Sequence, residues 1–124
     1  MKWKSVQLWV IAAVIGLAGV AQAGEYDGIW MIPDYPMYFM VYNTDSTLVV
    51  TEIDSTFLTC DVLVGQMSGN VGTVQHLVHN DNSDIQANIA FDSPTTATFV
   101  VTGCSGNCTN APPIGAALSF QKIL

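Results

Sequence analysis

The chain has 124 residues with ten acidic side chains against three lysines and no arginine, for a formal net charge of −7. So few cations exclude recognition of a nucleic-acid backbone, which depends on Lys and Arg neutralising phosphates, and they disfavour anionic membrane surfaces. The length suits one domain with a modest core.

The first element is a leader. Met1-Lys2-Trp3-Lys4 is basic, and no acidic residue precedes Glu25. Leu8–Val20 (LWVIAAVIGLAGV) is apolar throughout, and Ala21-Gln22-Ala23 follows it. A basic start, a short apolar stretch and an A-x-A site describe a secretory signal peptide over residues 1–23. The apolar run is shorter than the roughly 20 residues of a spanning helix. The mature chain is expected to begin at Gly24 and to be exported to the periplasm or beyond, with no membrane insertion after cleavage. Lys2 and Lys4 leave with the leader, so Lys122 alone faces the ten carboxylates, for a formal charge of −9 over residues 24–124. Such a surface keeps a protein soluble and attracts basic partners.

The remainder alternates β-type runs with turn residues every 8–12 positions. Eight strands are expected, at 25–31, 36–42, 47–53, 56–64, 71–79, 85–91, 95–102 and 116–123. Turns fall at Asn43–Ser46, Gly65–Asn70, Asn80–Asp84 and Asp92–Pro94, with a Gly/Cys/Asn/Pro-rich loop at 103–113. Period-two alternation assigns inner faces: Leu58, Cys60, Val62 and Val64 against Thr59 and Asp61; Ile85, Ala87, Ile89 and Phe91; Ala97, Phe99 and Val101; Leu118 and Phe120. The expected core is Trp30, Leu58, Val62, Ile89, Phe91, Phe99, Val101, Leu118 and Phe120. Thr and Val content favours strands over helix. Short connections imply one antiparallel up-and-down sheet of about eight strands in an all-β domain over 24–124. Closure into a small barrel removes its edges; a curled open sheet or a sandwich is the competing form.

Three cysteines remain in an oxidising compartment: Cys60, Cys104 and Cys108. The loop Gly103-Cys104-Ser105-Gly106-Asn107-Cys108 can turn back on itself. The expected disulfide is therefore Cys104–Cys108, with Cys60 a thiol buried beside Leu58 and Val62. A bridge from Cys60 to the loop is the rival.

Asp27-Gly28-Ile29-Trp30 resembles the G-x-W element that opens lipocalin-type barrels, in which the tryptophan closes one end. The wider pattern adds the leader, a Pro-Tyr turn at Pro33–Pro36, a Thr/Val-rich body and a Cys-bearing loop before a last strand ending Lys122-Ile123. It resembles a group of small secreted, uncharacterised β-barrel proteins of Gram-negative bacteria. The resemblance implies fold and compartment, and no activity.

No catalytic constellation stands out. There is no G-x-S-x-G elbow. Glu52 and Asp54 share a strand face by spacing, but a glycosidase needs a cleft between two carboxylates, and a small domain with short turns offers little room. His76 and His79 lie three apart, hence on opposite faces of a strand, and cannot hold one ion together even with Asp81 and Asp84 nearby. Both histidines are expected at or near solvent. No metal, cofactor or enzymatic activity is expected.

Aromatic and methionine residues concentrate in the first two strands, where Trp30, Tyr35, Tyr38, Met40 and Tyr42 are the candidate binding residues. The same cluster also suits a barrel core and plug. Strand two is apolar on both faces, so one face is expected to meet a partner or to be covered by the N-terminal segment. The function this suggests is a non-catalytic binding module for a small apolar ligand or a protein partner, for example a basic target such as lysozyme. A structural or assembly component of the cell envelope is the alternative.

Overall fold

The computed structural model describes residues 24–54, 60–78, 83–109 and 111–124. The expected signal peptide lies outside the described residues, as do Leu58, His79 and Asp81. Eight strands occupy the described chain: β1 (Gly28–Met31), β2 (Met37–Asn43), β3 (Thr47–Asp54), β4 (Cys60–Ser68), β5 (Val71–Val78), β6 (Ser83–Ser93), β7 (Thr96–Gly106) and β8 (Ala117–Lys122). Each pairs antiparallel with the next, and β1 pairs with β8, so the sheet closes into a barrel. The closing seam is short. Trp30 lies opposite Lys122 and Met31 opposite Gln121, and the Ile29 N–H donates to the Leu124 carbonyl at 2.7 Å. The seam pairs β1 with β8 along its length, so that stretch offers no open edge to another chain.

Alternation decides which side chains fill the barrel. Trp30, Ile89, Phe91, Phe99, Val101 and Phe120 are buried as expected, and Leu118 packs against them partly buried. One end is an aromatic plug. Trp30 stacks on Phe120 with centroids 4.9 Å apart and meets Phe91 edge-on at 5.4 Å. Tyr26 stacks on Phe91 at 4.0 Å. The buried indole Nε1–H of Trp30 donates to the Tyr26 carbonyl at 2.8 Å, so the plug leaves no orphan there. The N–H of Tyr26 donates to Asn43 Oδ1 and the N–H of Asn43 to Asp27 Oδ1, tying the entry segment to the end of β2. Gly28 permits this arrangement: its φ is 148°, and a Cβ there would strike the Leu124 carbonyl and the Lys122 side chain.

Strand β4 is inverted relative to the sequence expectation. Leu63 and Met67 are buried, Asp61 shares their inward parity, and Val62 and Val64 are half-buried on the outer wall. Cys60 is exposed rather than buried. Both alternations of this segment are apolar, so period alone does not choose between them. Two tertiary features decide. The strand continues to Ser68, which adds Met67 to the Leu63 parity. Gly65 faces Val74 in the register, and a Cβ at Gly65 would strike the Thr73 backbone. The expected turn at 65–70 accordingly shrinks to Gly69-Asn70, where Gly69 adopts φ 62°. The expected loop at 103–113 likewise loses its first residues to β7, which runs to Gly106.

Candidate functional site

The barrel interior changes character along its axis. On β3 the inward series is Leu48, Val50, Glu52; on β5 it is Val74, then His76; on β6 it runs back from Phe91 and Ile89 to Ser83. Antiparallel pairing puts the end of β3, the start of β4, the end of β5 and the start of β6 at one rim. Glu52, Asp61, His76 and Ser83 therefore gather at the end opposite the plug. A register shift follows His76: Leu63 lies opposite His76 but Val62 opposite Val78, leaving Leu77 as the extra, exposed residue of a bulge. Bulges of this kind re-aim side chains at barrel rims.

These residues form one side of a cavity of about 210 Å3. Ile32, Phe39, Ile85, Phe99, Val101 and Leu118 make its apolar walls, and Asp54 joins Glu52 and Asp61 on the acidic side. Two loops frame the opening. Tyr35 and Pro36 come from the segment before β2, and Ala111 and Pro112 from the segment after β7. The second loop is tied by the expected Cys104–Cys108 disulfide, with Cα atoms 6.2 Å apart. A larger hollow of about 410 Å3 lies against β4 and β5, but its polar lining (Gln66, Thr73, Gln75, Gln86) carries no titratable group.

Glu52 and Asp61 are direct cross-strand partners with both side chains on the inner face. Like charges so placed repel, and burial raises the cost of leaving them uncompensated. The nearest basic group is His76, whose Nε2 lies 3.9 Å from Glu52 Oε2 with the two side chains only 1% and 10% exposed. Its Nδ1 lies 3.1 Å from both the Ser83 carbonyl and the Ile85 N–H. Protonated, Nδ1 donates to the carbonyl; deprotonated, it accepts from the N–H. Burial lowers the pKa of His76, but the hydrogen bond and charge of Glu52, the Ser83 carbonyl and the charge of Asp61 outweigh it. The net effect lifts it above the ordinary imidazole value. The donor atoms of Glu52, Asp61 and His76 all lie within 4.8 Å of one another.

Comparison of the chain with family models, with curated proteins and with solved structures finds no match.

The sequence-predicted site residues separate into three places. Trp30 belongs to the plug. Tyr35 stands at the cavity opening. Tyr38, Met40 and Tyr42 lie on the outer wall of β2, 39%, 48% and 47% exposed. They are flanked in the register by Ile53, Thr51 and Val49 of β3, and Met40 also by Ile29 of β1. That wall is open rather than covered by the N-terminal residues described. His76, expected near solvent, is buried, and Asp61, expected outward, faces the cavity. The expected sharing of a face by Glu52 and Asp54 holds, since both line the cavity. Sequence reasoning missed the cluster because its members come from three strands. The available signal was the Leu48-Val50-Glu52 alternation, which points a carboxylate inward.

Proposed function

We propose that this protein is an exported, non-catalytic binding module that takes a small ligand with an apolar body into the mouth of its barrel. The observation that carries this reading is the cavity of about 210 Å3, walled by Ile32, Phe39, Ile85, Phe99, Val101 and Leu118 and open at one end. Pockets that hold small molecules are concave and mainly apolar, with a few placed polar groups that orient the ligand. The acidic side of the cavity gives such a ligand an orientation, cation or donor toward Glu52 and Asp61. The plug keeps the opposite end shut.

The test is a titration with a neutral apolar fluorophore such as N-phenyl-1-naphthylamine, run on the purified protein and on Ala111→Trp. Ala111 is a half-buried loop residue at the cavity, so the indole blocks the mouth without touching the plug. Fluorescence enhancement in the parent and its loss in Ala111→Trp support the reading. Equal enhancement in both, or none in the parent, overturns it.

A second reading, a protein partner held on the outer wall, is favoured by the row Tyr38, Met40 and Tyr42. Tyrosine and methionine are enriched at the centre of protein interfaces, and an acidic chain suits a basic protein such as lysozyme. Replacing Tyr38 and Tyr42 by Ser abolishes capture of that partner under this reading and leaves fluorophore binding intact.

A further inference from the structure

We infer that Glu52, Asp61 and His76 together form a binding site for one first-row divalent transition cation, of which Zn2+ is the probe, at the acidic side of the mouth cavity. The inference deepens the binding-module reading, because it names the polar anchor within that cavity, and it rests on the cavity being a binding site.

Four observations carry it. The first is the donor set. One imidazole nitrogen and two carboxylates, within 4.8 Å of one another, match zinc-type ligands. Tetrahedral bonds of about 2.0–2.2 Å place ligand atoms roughly 3.3–3.6 Å apart. The 3.9 Å between His76 Nε2 and Glu52 Oε2 closes to that separation with a small side-chain rotation.

The second is positioning. The contact of His76 Nδ1 with the Ser83 carbonyl at 3.1 Å aims Nε2 at the carboxylates. A metal-bound histidine characteristically gives its other N–H to such a carbonyl, which sets the tautomer.

The third is charge. Glu52 and Asp61 face each other directly across β3 and β4 on the inner wall. The one lysine after the leader, Lys122, lies opposite Trp30 at the plugged end. A dication bound between the carboxylates converts their repulsion into ligation.

The fourth is access. Three protein donors leave a coordination position for water or for a donor on a cavity ligand, and all three residues line the cavity. The imidazole selects against Mg2+ and Ca2+, which take oxygen ligands in larger number.

The test uses the purified protein stripped with EDTA and dialysed. Zn2+ titration by calorimetry, with Mg2+ and Ca2+ as comparisons, is expected to show one Zn2+ per chain and no binding of the other two. Asp61→Asn and His76→Gln are each expected to weaken Zn2+ by about tenfold or more, whereas Asp92→Asn, on the exposed face of β6, leaves it unchanged. Because the first two variants alter buried positions, a second readout uses the parent fold. His79→Gln leaves His76 as the sole imidazole of the chain. Its Nε2 resonance in 15N NMR is expected to move on addition of one equivalent of Zn2+. A silent imidazole, or Zn2+ affinity indifferent to Asp61 and His76, overturns the site. Fluorophore binding without Zn2+ binding sinks the metal inference and leaves the apolar-ligand reading standing. Zn2+ binding at these residues without fluorophore binding does the reverse.

Discussion

His76 Nε2 sits 3.9 Å from Glu52 Oε2 in a wall where each side chain is almost wholly removed from water. The facing carboxylates Glu52 and Asp61, together with the Ser83 carbonyl, raise the His76 pKa despite burial. A group whose folded pKa exceeds its unfolded value of about 6.5 stabilises the fold most when protonated. In the presence of EDTA, this contribution is therefore complete below the unfolded value and disappears as pH rises through the folded one. Denaturant midpoints measured from pH 5.5 to 8.5 should fall across that window, and the fall should be shallower in His76→Gln. A midpoint that rises with pH in the parent, relative to His76→Gln, refutes the sign.

The plug should carry much of the stability. Phe120 is fully buried and touches Trp30, Phe39 and Phe99. Phe120→Ala should cost about 3–5 kcal/mol in urea melts. Val62→Ala, on the outer wall, should cost roughly 1 kcal/mol or less, because little of its surface is lost from a closed core. Equal costs would return Val62 to the interior.

The disulfide should hold the loop and not the barrel. Only three residues, Ser105, Gly106 and Asn107, lie between Cys104 and Cys108, and so short a ring restricts the unfolded chain by about 2 kcal/mol at most. The double substitution Cys104→Ser, Cys108→Ser should thus lower the midpoint modestly while keeping the β-type circular dichroism. It should weaken fluorophore binding several-fold, since the tied loop brings Ala111 and Pro112 to the cavity. Loss of the β spectrum on reduction would make the bridge a condition of folding.

Gly28 should not accept a side chain. Its φ of 148° and the contacts a Cβ would make with Leu124 and Lys122 fall on the seam where β1 meets β8. Gly28→Ala should destabilise by roughly 1–3 kcal/mol, with the earliest hydrogen exchange among the Ile29 and Ile123 amides that close the barrel. Unchanged exchange at both amides would show that the seam tolerates the methyl.

Export is checked by mass. Protein collected from the periplasmic fraction of an expressing bacterium should begin at Gly24. Material retaining residues 1–23 would contradict the leader reading.

Much of this architecture was legible from local pattern. Alternation in 85–91, 95–102 and 116–123 placed Ile89, Phe91, Phe99, Val101 and Phe120 correctly, because one face of each segment is polar and only the other can be buried. The spacing of Cys104 and Cys108 within a glycine-bearing loop favoured the pairing that the structure shows, although the supporting expectation of a buried Cys60 failed. Short turns between eight strands implied neighbour pairing and made a barrel the expected form, but the choice against a curled open sheet or a sandwich was made only by the pairing of β1 with β8. Local pattern failed where both faces of a strand are apolar. In β4 the choice between Val62 and Leu63 rests on Met67 and on the backbone approach at Gly65, which are relations between strands. The cluster at the mouth is likewise non-local. Alternation set Asp61 outward and His76 was expected solvent-facing or lightly packed, while Glu52 was paired only with Asp54 on its own strand; barrel register is what turns Glu52, Asp61 and His76 inward together at one rim. Periodicity reports which residues of one strand share a face; which strands share a rim is decided by the closing of the sheet.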